Sequence, residues 1–278
     1  MAFKTILTVT GIDQGDRDLE LAASLCQESG AHLSLLALLP FSVPVAGVDP
    51  GVVSDIWVRQ RQTELEMLSA RADHARTFLS ARVDSSDIAA QYCEAGEAPD
   101  VVGRRGRYAD LTVAGPGVLG SDSLRRIVLE GTLFSSGGPL LLVPDETRAT
   151  LKPKRVLVAW DAGLEASRAV RQALAILKEA AEVRLALVDP VAGEGGHGDE
   201  PGADIAAYLA RHGVKVTVDR LPSEGRSVED ILTRHAVDTS SGMLVMGAYG
   251  HSRLRERLFG GVTRTMLERP PLPVFMAR

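Results

Sequence analysis

Cysteine is nearly absent: Cys26 and Cys93 are the only two in 278 residues, and neither lies in a CxxC. That excludes a disulfide framework and a thiolate zinc site. Aromatic residues make up 4% of the chain, so its cores must be built from Leu, Val, Ile and Ala. An excess of positive charge is missing too; the formal net charge is -5, which excludes bulk electrostatic binding to nucleic acid or to an anionic membrane. No long hydrophobic run exists. The most apolar stretch, Ala31 to Val48, is broken by His32, Ser34, Pro40 and Pro44, and a membrane span needs about 20 apolar residues. The apolar stretch Ile6–Val9 is too short for a signal-peptide core. The expectation is a cytoplasmic protein.

What is present is ordinary globular composition, 45% apolar and 24% charged, in a chain long enough for two domains at roughly 150 residues each. The chain also repeats itself. Lys4–Thr10 (KTILTVT) and Lys154–Trp160 (KRVLVAW) are short β-branched runs that read as buried strands. Each precedes a helical pattern: Asp16–Gln27, with Leu19, Ala22, Ala23 and Cys26 on one face, and Leu164–Lys178, with Ala166, Val170, Ala173, Leu174 and Leu177 on one face. Second strands follow at Ala31–Leu39 and Glu182–Val188. Asp110–Ala114 parallels Met243–Met246, and each copy closes on a proline and an apolar run, Pro139–Val143 and Pro273–Met276. The polar segment Pro144–Pro153 separates the copies. Alternating strands and helices predict two tandem α/β domains, 1–146 and 152–278, each a five-stranded parallel sheet with helices on both faces (Rossmann-like).

Ligands of open parallel sheets bind beyond the carboxyl ends of the strands, where strand order reverses. The loop after the fourth strand of the second copy carries glycines at 247, 250, 260 and 261, then a helix expected to begin near Thr263. Closely spaced glycines let backbone approach a ligand, and a helix N-terminus favours an anion such as phosphate. No Gly-Lys-Ser/Thr follows, so this is not a Walker loop.

The spacing Gly247-x2-Gly250-x9-Gly260, with Asp161 ending the first strand and Pro-Leu-Pro-Val-Phe at the last, resembles the nucleotide motif of the universal stress proteins. The duplication extends the resemblance over essentially the whole chain and makes it similar to the tandem members. The fold it implies is that of the adenine nucleotide alpha hydrolase-like domains. The activity it implies is regulatory binding of ATP, with AMP or ADP as alternatives and Mg²⁺ alongside, in a stress-response role without efficient catalysis. By that resemblance Asp161 contacts the nucleoside, Ala159 and Leu187 line the adenine pocket, and Gly247, Gly250, Gly260, Gly261 and Thr263 cradle ribose and phosphates, with Met246 entering the loop. It also implies pairing of the two copies within the chain and a homodimer of whole chains. One departure stands out: Gly261 replaces the family's Ser/Thr. The loss of that hydroxyl costs about 0.5–1.5 kcal/mol of affinity. Two further readings stay open, a slow ATP hydrolase and an interaction module with both sites vestigial.

In the first copy Gly11 stands where Asp161 stands, and the tenth residue after Gly120 is Glu130, whose carboxylate would repel phosphate. That copy is therefore expected to be degenerate. Gly115–Gly120 spells G-x-G-x-x-G, but after the fourth strand and with Ser135 in place of the acid, so a dinucleotide site is not assigned. His197, Asp199 and Glu200 read as a solvated loop, and His251 and Arg253 as polar surface beside the glycines. No catalytic residue and no metal ligand is assigned.

Overall fold

The computed structural model describes residues 3–42, 50–193, 199–249 and 261–278. Two compact units result, one formed by Lys4–Ser136, the other by Gly137–Arg278 together with Phe3.

The N-terminal unit runs β1 (Thr5–Thr10), α1 (Arg17–Ser29), β2 (His32–Phe41), α2 (Pro50–Ser80), β3 (Ser86–Glu94), α3 (Ala98–Gly106), β4 (Leu111–Ala114), α4 (Pro116–Gly120) and α5 (Asp122–Glu130), then a π-helical turn at Gly131–Ser136. Its strands lie in the order β3-β2-β1-β4 and are all parallel. In β1, Ile6 to Thr10 are buried without alternation, and β4 is buried throughout. Such strands have both faces covered, as parallel sheets require. Helix α1 buries Leu19, Ala22, Ala23 and Cys26 on the predicted face and stops at Gly30, whose φ of 65° suits glycine.

The C-terminal unit runs β5 (Leu140–Leu142), β6 (Arg155–Ala159), α6 (Leu164–Gln172), α7 (Leu174–Glu179), β7 (Glu182–Val188), α8 (Ala203–Arg211), β8 (Val216–Leu221), α9 (Val228–Asp238), β9 (Met243–Gly247), α10 (Gly261–Glu268) and β10 (Val274–Ala277). Strand order is β5-β10-β9-β6-β7-β8. All its pairs are parallel except β5 with β10. The α/β architecture with mostly parallel sheets agrees with the sequence reading. Two details depart from it. The last strand of the first copy, β5, lies antiparallel to the last strand of the second, Leu141 opposite Phe275, which gives the β10 edge a partner. The helix read as Leu164–Lys178 is two helices, because Ala173 opens a tightened turn in which Ile176 N–H donates to the Ala173 carbonyl at 2.9 Å. Among the described residues no helix is long and apolar enough to cross a membrane.

Candidate functional site

In the C-terminal unit the chain leaves β6 toward β7 and β8, then returns to place β9 on the other side of β6. Strand order reverses between β6 and β9, and the crevice beyond their carboxyl ends is where ligands of such sheets bind. The pairs Val158↔Val245 and Ala159↔Ala186 set the levels. They bring Ala159 and Met246 to the ends of neighbouring strands, with Leu187 one residue past the partner of Ala159. Ala159 is half-buried, Met246 is buried, and Leu187 is fully buried, 3.2 Å from where a Cβ on Gly202 would stand.

Trp160 N–H continues the sheet by donating to the Ala186 carbonyl at 2.9 Å, and Asp161 follows it. Its side chain is exposed, and its Oδ1 accepts the Gly163 N–H at 2.8 Å. This is an aspartate turn of two residues. A Cβ on Gly163 would stand 2.8 Å from that oxygen, so a larger residue there would push the carboxylate off the turn. Ala162, between them, has a φ of 60°.

On the neighbouring strand Gly247 ends β9 against the first turn of α6. A Cβ there would meet Ala166 N at 2.5 Å and Glu165 C at 2.7 Å, both backbone atoms. The glycine thus lets α6 close onto the strand end, and with it the Asp161 turn that precedes the helix. Ala248 N–H donates to the Ala277 carbonyl at 2.9 Å, and Tyr249 follows with a φ of 66°. Tyr249 N–H donates to Thr263 Oγ1 at 3.4 Å, tying the start of the loop to α10. Thr263 is buried at 7% exposure, and the acceptor role leaves its hydroxyl proton for another partner. Helix α10 starts at Gly261, two residues before the expected start. Gly250, Gly260, His251 and Arg253 lie outside the described residues, as does His197.

Left-handed backbone at residues with a side chain costs of order 1–2 kcal/mol each and gathers at functional sites. Among the described residues all six such positions are in the C-terminal unit. Ala162, Asp189, Glu224 and Tyr249 follow β6, β7, β8 and β9, and so border the carboxyl edge of the sheet. The sequence reading missed Ala162, Tyr249 and Asp189. The only available signals were an aromatic between Gly247 and Gly250 and an acid directly after a strand. Asp189 also joins two of these loops. Hydrogen bonds from the Ser223 hydroxyl and from the Ser223 N–H, the latter at 2.9 Å, hold its carboxyl below the usual range.

The acid-rich loop after β7 is accounted for differently: Glu200 pairs with Arg220 at 3.2 Å. No cluster of three or more His, Cys, Asp or Glu able to hold a metal ion occurs among the described residues.

Residues 152–278 match the model of the Universal stress protein family. A curated relative, universal stress protein Slr1230 of Synechocystis sp., is 27% identical over 181 residues, 64% of this chain and 57% of the relative, so the chain spans little more than half of that relative's length. Among solved structures, a universal stress protein from Archaeoglobus fulgidus matches with a TM-score of 0.66 at 17% identity, covering 99% of this chain and 96% of that one. A putative universal stress protein from Pseudomonas aeruginosa matches with a TM-score of 0.52 at 14% identity, covering 99% and 92%. At such identities the two structures speak for the fold alone.

Proposed function

From the match of residues 152–278 to the universal stress protein family, we propose that the C-terminal unit is a regulatory adenine-nucleotide-binding domain. ATP is its first ligand, with ADP and AMP as alternatives. The observation that carries this reading is the strained, glycine-lined edge at the β6/β9 reversal. There an exposed carboxylate, Asp161, stands on a fixed turn beside left-handed Ala162 and Tyr249. Strain of that kind persists only where the surrounding structure imposes it, and its clustering at ligand sites supports this reading.

The residues fit such a ligand in stated ways. Asp161 accepts hydrogen bonds from ribose hydroxyls. Ala159 and Met246 offer apolar surface at the ends of neighbouring strands, with Leu187 in the packing behind. Gly247, Gly261 and the Thr263 hydroxyl provide donors for ribose and phosphate oxygens, and the glycine spacing of the sequence assigns Gly250 and Gly260, outside the described residues, to the same cradle. Mg²⁺, when bound with the phosphates, would offset their charge. The role proposed is regulatory binding and signalling in a stress response. The N-terminal half is read as a second, degenerate copy, making the protein a tandem member of the family that acts in the cytoplasm.

Calorimetric titration of nucleotide-stripped protein with ATP and Mg²⁺, and separately with ADP and AMP, tests this. The expected result is one site per chain that weakens at least about tenfold in Asp161→Ala, since hydrogen bonds to a charged group contribute about 1.5–3 kcal/mol. Absence of heat and of any thermal shift with all three nucleotides would turn the reading to an interaction module.

A further inference from the structure

The N-terminal unit has the same reversal of strand order, here between β1 and β4, but its own side chains stand there. Arg71 arrives from α2 and is 9% exposed. Its Nε and Nη2 donate to Thr10 Oγ1, at the end of β1, at 3.3 and 3.0 Å. Its Nη2 also donates to the Gly15 carbonyl at 2.8 Å, and its Nη1 to Asp16 Oδ1 at 2.8 Å. His74, on the same helix, contacts the other oxygen of Asp16 at 2.8 Å.

On the β4 side stands Asp18, from the first turn of α1, at 2% exposure. Its Oδ1 accepts the Gly117 N–H at 2.8 Å and its Oδ2 the Val118 N–H at 2.9 Å. Burial raises the Asp18 carboxyl above the usual range, and these two N–H groups oppose that shift. The loop is shaped to the carboxylate: a Cβ on Gly115 would lie 2.5 Å from Asp18 Oδ1, and one on Gly117 2.3 Å from Gln14 Oε1. The glycines of the G-x-G-x-x-G string thus admit side chains of this unit. A buried carboxylate without partners is costly, so its persistence here depends on the two loop amides.

We infer that Arg71 and Asp18 are an internal occupant of the N-terminal reversal point, filling the places of a ligand and excluding nucleotide from this unit. The carboxylate takes the loop amides, and the guanidinium covers the strand end at Thr10, next to Gly11. Neither interaction involves the C-terminal unit's nucleotide site.

The test is amide hydrogen exchange of the full chain, read at Gly117 and Val118. In the wild type both amides are protected, and ATP with Mg²⁺ leaves their exchange unchanged. In Asp18→Ala their protection falls by at least about tenfold, the loss of one such hydrogen bond each. Acetate restores it in a saturable way, while chloride at equal ionic strength does not. Should Asp18→Ala fail to fold, Asp18→Asn serves: its single acceptor oxygen protects one of the two amides and exposes the other. Three results would overturn the inference. They are protection unchanged on substitution, acetate no better than chloride, and slowed exchange at these amides in the wild type on adding ATP. Failure of nucleotide binding in the C-terminal unit changes none of these readouts, so the two readings fail separately.

Discussion

After β1 the N-terminal unit runs into a reversal point held by Arg71 and Asp18, with both side chains buried and hydrogen-bonded within the unit. After β6 the C-terminal unit turns out an exposed Asp161, next to Ala162 at φ 60° and, on the neighbouring strand end, Tyr249 at φ 66°. The two share their frame. Gly115 directly follows β4 and Gly247 ends β9, the same strand of each repeat, and both receive the first turn of the helix after the first strand. The second residue of that helix is Asp18 in α1 and Glu165 in α6. The aspartate reaches the loop amides. At the corresponding place in α6, backbone and Cβ of Glu165 abut Gly247 instead. One frame therefore supports both an end held by its own buried side chains and an end with strained backbone at Ala162 and Tyr249, and a few residues at the strand ends separate them.

Four predictions probe this contrast, from the largest expected effect down. Gly247→Ala drives a methyl into the backbone of α6 and should cost about 1–3 kcal/mol in denaturant unfolding. Gly115→Ala meets the movable end of Asp18 and should cost less. The reverse ranking would mean that Asp18 is as fixed as a helix backbone. Next, Asp161→Ala should change stability by about 1 kcal/mol or less, because the side chain is exposed. A much larger loss in urea titrations would recast Asp161 as a structural cap.

Ala162→Gly should stabilise by about 0.5–1 kcal/mol by relieving the left-handed backbone. If the strain positions Asp161, the same change should weaken nucleotide binding, a trade of activity for stability. Paired melting and titration data showing gain in both would argue that the strain has no role.

The smallest effect is in acid. Burial pushes Asp16 up, but hydrogen bonds from Arg71 and His74 outweigh it and hold its carboxyl below its ordinary 3.8. A depressed carboxyl adds stability that is complete above the ordinary value and is lost as pH falls through the depressed one. Asp16→Asn should therefore flatten the acid limb of the stability–pH curve below about pH 4, and an acid limb unchanged in that variant would contradict it.

Much of the fold was legible because short β-branched runs repeat in the same order in both halves. Periodicity located β1, β2, β6 and β7 and the buried face of α1. The antiparallel pairing of β5 with β10 was not legible, since a three-residue apolar strand carries no mark of its partner. The turn at Ala173 escaped because alanine, the strongest helix former, signals an unbroken helix. At the C-terminal site the glycine spacing and Asp161 could be read directly, but the left-handed state of Ala162 and Tyr249 could not, because neither residue type signals positive φ. The filling of the N-terminal end was hidden by distance along the chain. Asp18 bonds residues 99 and 100 positions away, and Arg71 reaches back 61 positions to Thr10. In sequence, Asp18 is only an acid in the first turn of a helix, as the helix dipole favours anywhere.

The most direct measurement is hydrogen exchange by mass spectrometry on the full chain with and without saturating ATP and Mg²⁺. The account predicts slowed exchange in the segments that hold Asp161–Gly163, Gly247–Tyr249 and the start of α10, with none in Gly115–Val118. Protection at Gly115–Val118, or at neither end, would contradict it.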